Sequence, residues 1–143
     1  MKKSFVAVGL ATLALTTLAL TASPALARDP FAGGYSGNEG VCAKNVSCSL
    51  EIDPVAGGKS YTAVFEAEQQ GRSPDGLITR KTLCKVTAQL TRDGKRLKGA
   101  FPSGQPIEIA PSGGGVVSVS KNSGTPCGLP FSISGRYENF VDY

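Results

Sequence analysis

The sequence predicts an all-β protein, a small antiparallel up-and-down barrel of about eight strands stapled by disulfides. Three observations carry that expectation. Apolar and polar residues alternate with period two along the chain beyond its N-terminal segment, and no stretch of ten or more residues there shows helical spacing. Turn formers recur every 10 to 15 residues. Four cysteines follow what reads as an export signal.

Residues 1–27 supply that signal. Lys2 and Lys3 precede an apolar run from Phe5 to Leu20, and Ala25-Leu26-Ala27 offers the small-x-small pattern of a cleavage site. Thr12, Thr16, Thr17, Thr21 and Ser23 dilute the run and Pro24 closes it, so it falls short of the roughly 20 apolar residues of a membrane span. Processing after Ala27 leaves one domain, 28–143, of 116 residues with 13 basic and 11 acidic side chains, net +2. No integral membrane segment is expected in it, and its location is periplasmic or secreted.

The expected strands are Gly34–Gly37, Ser47–Asp53, Tyr61–Glu68, Leu83–Arg92, Lys95–Phe101, Pro106–Ala110, Val116–Lys121 and Phe131–Asn139. Between them lie Asp53-Pro54, Gly57-Gly58, Ser73-Pro74-Asp75-Gly76, Asp93-Gly94, Pro102-Ser103-Gly104, Gly113–Gly115 and Asn122-Ser123-Gly124. Parity assigns Cys48, Leu50 and Ile52 to the inside, with Tyr61, Ala63, Phe65 and Ala67. Cys84, Val86, Ala88 and Leu90 join them, as do Leu97, Gly99, Phe101, Ile107, Ile109, Val117, Val119, Phe131, Ile133, Gly135 and Tyr137. The opposite parity carries Glu51, Glu66, Lys85, Arg96, Lys98 and their polar neighbours. In the Leu90–Leu97 segment, Asp93-Gly94 fits a type I′ turn that pairs Arg92 with Lys95 and Leu90 with Leu97.

In such a meander the second, fourth and eighth strands start at one end, and Cys42, Cys48, Cys84 and Cys127 all lie near those starts. That end is stapled and the Asp93-Gly94 end is free. Cys48 and Cys84, separated by a whole strand, would stand roughly 9 to 10 Å apart, beyond disulfide reach. The favoured pairing is therefore Cys42–Cys48 with Cys84–Cys127. A zinc site is disfavoured by cysteine spacings of 6, 36 and 43 and by the lack of any histidine.

The same lack removes Ser-His-Asp and Cys-His nucleophile systems. Paired carboxylates on one outer face, Glu51, Asp53, Glu66 and Glu68, are the remaining acid-base route. A solvated sheet face neither excludes water nor raises a pKa, so these are read as ion-pair partners of Lys85 or Lys81. Ala56-Gly57-Gly58-Lys59-Ser60 ends like a phosphate loop but has Asp53 where the first glycine belongs, and it reads as a turn. No cofactor is expected.

Charge is unevenly spread. Arg80 to Lys98 holds seven basic residues and one acid, while the rest of the processed chain is net −4. Arg92, Lys95, Arg96 and Lys98 form a basic rim at the free mouth, suited to an anionic macromolecule. Aromatic residues do not interleave with these cations, and the small net charge disfavours nucleic acid.

Phe31-Ala32-Gly33-Gly34-Tyr35-Ser36-Gly37 and Ile133-Ser134-Gly135-Arg136-Tyr137 bracket the alternating hairpins. With the signal peptide, this resembles small exported meander barrels, the architecture shared by avidin-like proteins and bacterial inhibitors of lysozymes or proteases. The tryptophans of biotin-binding barrels are missing, so no functional residue carries over. The expected function is that of an exported, non-enzymatic protein that binds another macromolecule, as an inhibitor or secreted factor. The alternatives are a carrier of a small hydrophobic or amphiphilic ligand inside the barrel and an acid-base hydrolase.

Overall fold

A computed structural model describes residues 28–140; the expected signal segment lies outside them. Eight strands follow one another, β1 Gly33–Gly37, β2 Val46–Pro54, β3 Ser60–Arg72, β4 Ile78–Asp93, β5 Arg96–Ala100, β6 Pro106–Gly113, β7 Val116–Val119 and β8 Gly135–Asn139. Each pairs antiparallel with its neighbours in sequence, and β8 closes on β1 through Tyr35–Asn139, Ser36–Glu138 and Gly37–Tyr137. The result is the closed up-and-down barrel that the alternation predicts. Both expected disulfides are present, Cys42–Cys48 and Cys84–Cys127, at the end opposite the β4–β5 turn. Two such bridges suit an oxidising compartment outside the cytoplasm. Among the described residues no helix is long and apolar enough to cross a membrane.

The inward parity fills the interior. Leu50, Ile52, Tyr61, Ala63, Phe65, Ala88, Leu97, Ile107, Ile109, Val117 and Tyr137 are all buried, and Phe65 meets Phe101 edge to face at 6.3 Å. Phe31, ahead of β1, adds a stopper with no exposed surface and stands edge to face with Tyr61 at 5.8 Å. Burying a side chain of this size contributes about 2 kcal/mol.

The two segments that bracket the hairpins share one device. Tyr35 donates its hydroxyl to the Phe31 carbonyl at 2.9 Å, and Tyr137 donates to the Ile133 carbonyl at 2.7 Å. Each tyrosine thus bonds four residues back across a glycine, Gly33 at φ +144° or Gly135 at φ +141°. Side-chain-bearing L residues rarely adopt such angles. A Cβ at Gly33 would stand 2.8 Å from Asn139 Nδ2, and one at Gly135 would stand 2.6 Å from Val41 Cγ2.

Three local expectations change. The β4–β5 turn is Gly94-Lys95, with Gly94 at φ +60° and Lys95 at negative φ, a type II′ turn with glycine first. Asp93 then pairs with Arg96, Arg92 with Leu97 and Leu90 with Gly99. Leu90 and Leu97 keep their inward facing because the slip moves the pairing by one residue on each strand. β8 begins at Gly135 rather than Phe131; Ser132 and Ser134 bond each other at 2.7 Å, and Ile133 remains buried without a strand. Finally, β3 and β4 continue past Glu68 and before Leu83 into an arm whose pairs run from Gln69–Lys81 to Arg72–Ile78; Val46 and Asn45 still flank its base at Gln69 and Gln70, and beyond them it is two-stranded.

Candidate functional site

The barrel offers two surfaces at opposite ends. At the rim end, the four predicted cations lie close together, but three have intramolecular partners. Arg92 lies over the Phe31 ring, 5.6 Å from its centroid, and donates Nε–H to the Gly94 carbonyl at 3.3 Å. Arg96 pairs with Glu108, and Lys98 with Asp93 at 2.8 Å. Lys95, exposed at the turn, has no ion-pair partner among the described residues.

The electrostatics follow from those contacts. The hydrogen bond from Lys98, reinforced by its charge, holds the Asp93 carboxyl below its ordinary value, and Asp93 in turn raises Lys98. Asp29 accepts from the Tyr61 hydroxyl at 2.8 Å and from the Phe31 N–H at 2.9 Å, which ties the stopper to the barrel wall. Burial first, and then the Asp29 bond, raise the Tyr61 hydroxyl above 10. Burial and the Asp29 charge do the same to Tyr35. The mouth that the alternation leaves open is therefore closed by Phe31 and Arg92. No periodicity signals this, because Phe31 precedes the first strand.

Outside the wall at the same end lies an open cleft of about 620 Å³, lined among others by Arg28, Gly34, Gly114, Asn139 and Phe140. Gly33, Gly34, Gly113, Gly114 and Gly115 all contribute to its lining.

At the other end stands the arm. Its turn, Ser73–Gly76, is followed by Leu77 and Ile78, 69% and 67% exposed. Arg72, Arg80 and Lys81 are exposed along it. The carboxylates considered for acid-base chemistry lie below. Glu66 pairs with Lys85 at 3.1 Å and Glu68 with Arg80 at 3.9 Å, while Glu51 and Asp53 are exposed. Lys81, opposite Gln69, occupies the other face of the ribbon from Arg80. Sequence reasoning missed the arm because both its faces are wet, so it carries no apolar alternation; the one available signal is Thr79-Arg80-Lys81-Thr82 after the Ser73–Gly76 turn.

Among the described residues there is no group of three or more cysteine and acidic side chains placed to hold a metal ion. Comparison with protein-family models, curated proteins and solved structures gives no match.

Proposed function

We propose that this chain is an exported, non-enzymatic binding protein that acts through its exterior on another macromolecule, as an inhibitor or secreted factor. The observation that carries this reading is the contrast between a filled interior, stoppered by Phe31, and an arm that projects from the barrel with Leu77 and Ile78 in water. Exposed large apolar side chains on a projecting element are what a partner's pocket can cover. Carriage of a small ligand would need interior volume that Tyr61, Phe65, Phe101 and Tyr137 occupy. Hydrolysis would need a carboxyl shielded from water, whereas Glu66 and Glu68 are engaged with cations on an outer face.

The rim remains a second contact surface on this reading, with Lys95 as the cation available to an anionic partner. Site-specific photo-crosslinking in the exporting cell tests the proposal. A photoreactive side chain at Thr82 or at Lys95 should yield protein-sized adducts of the exported chain. The absence of adducts at both positions in correctly folded protein would refute it.

A further inference from the structure

β4 has a long unpaired edge. It pairs with β3 from Ile78 to Thr91 but with β5 only from Gln89 to Asp93. Opposed residues in an antiparallel pair alternate between exchanging hydrogen bonds and pointing their peptide groups outward. Ser73 donates its N–H to the Leu77 carbonyl, which makes Arg72–Ile78, Gln70–Arg80 and Glu68–Thr82 the outward-pointing pairs. Gln70 fits this, since its N–H bonds the Asn45 carbonyl on the β2 side. Above the irregularity at Ala67/Glu68, Arg92 donates to the Lys59 carbonyl, so Lys85 also points its peptide group away from β3. Among the described residues, no backbone partner meets Ile78, Arg80, Thr82 or Lys85 on that side.

We propose that this edge, Ile78 to Lys85, is where the partner docks, by adding an extended acidic segment of its own chain as a further strand. The proposal rests on the macromolecule-binding reading and names its mode. Main-chain bonds to the four free peptide groups give attachment, and the side chains beside the new strand give selectivity. Those neighbours on β4 are Arg80, Lys81 and Lys85 with no carboxylate among them, so glutamate or aspartate on the incoming strand gains cross-strand partners. Arg80 and Lys85 already reach Glu68 and Glu66, whereas Lys81 has no ion-pair partner among the described residues. Leu77 and Ile78 offer an apolar anchor where the edge begins. A second copy of this chain fits poorly, because edge-to-edge pairing would set these cations against one another.

The test follows backbone amide exchange by NMR in the processed, disulfide-closed protein. The probe is a blocked peptide of about nine residues that alternates glutamate with valine and threonine, and its lysine counterpart is the control. At millimolar peptide, the Ile78, Arg80, Thr82 and Lys85 amides should exchange about tenfold more slowly or better, and the lysine peptide should leave them unchanged. Thr82→Pro removes one outward N–H without breaking a bond to β3, and should weaken peptide binding while the β3 amides stay protected. The charge pair Arg80→Glu with Lys81→Glu should do the same. Four unaffected amides, or equal protection by the lysine peptide, would overturn the inference. So would protection without peptide that grows with protein concentration, the mark of a second copy. Peptide shifts confined to Lys95 and its neighbours would refute the edge and leave the macromolecule-binding reading standing. Saturable shifts of Phe65, Phe101 and Tyr137 with a fatty acid, and none with either peptide, would sink both.

Discussion

Replacing both Cys84 and Cys127 by alanine should cost the fold about twice what replacing Cys42 and Cys48 costs. The first bridge spans a sequence separation of 43 and the second a separation of 6. On the chain-entropy relation these loops correspond to about 4 and about 2 kcal/mol at 25 °C. Each pair has one buried member, Cys84 or Cys48, 3% and 2% exposed, so the loss of a packed sulfur largely cancels between the two variants. The difference therefore isolates loop closure. Equilibrium urea unfolding, extrapolated to water, measures it, provided the wild-type protein is run oxidised beside both variants. A gap of about 2 kcal/mol is expected. Equal losses, or a larger loss from opening Cys42–Cys48, would refute the argument that Cys84–Cys127 stabilises by shortening the unfolded chain.

Two further outcomes test the packing. Gly99→Ala would set a methyl 1.8 Å from the Gln89 carbonyl oxygen and 3.0 Å from Leu90 Cα, so β4 and β5 must part. Urea unfolding should record a loss of about 3 kcal/mol, and a loss under about 0.5 kcal/mol would contradict the Leu90–Gly99 register. Burial raises the hydroxyl pKa of Tyr137, Tyr61 and Tyr35. The neutral forms thus add stability that is complete below pH 10 and falls as the pH climbs through the raised values. Ultraviolet titration should show these three ionising together with alkaline unfolding, and smooth ionisation near 10 in folded protein would contradict their burial.

The fold was legible where one strand face is dry and the other wet. Leu50 and Ile52, Ala63 and Phe65, and Ile107 and Ile109 point inward as their parity requires, and the disulfide pairing follows from which strands share an end and from the whole strand between Cys48 and Cys84. The β4–β5 register was not legible from that pattern. A turn at Asp93-Gly94 and one at Gly94-Lys95 both keep Leu90 and Leu97 inside, and the choice depends on Gly99 admitting the Gln89 carbonyl. The arm escaped for a related reason, since Gln69–Arg72 and Ile78–Thr82 bury neither face. At the rim, the cations could be read from sequence but their partners could not. Glu108 reaches Arg96 through the β5–β6 pairing, and Phe31 reaches Arg92 only across the closed barrel.

On the proposed reading the interior serves as packing and binding belongs to the exterior. Native mass spectrometry of the protein recovered from the exporting cell decides between packing and carriage. The expected mass is that of the disulfide-closed chain beginning at Arg28, with no retained small molecule. A stoichiometric small hydrophobic or amphiphilic ligand that leaves only on unfolding would contradict it.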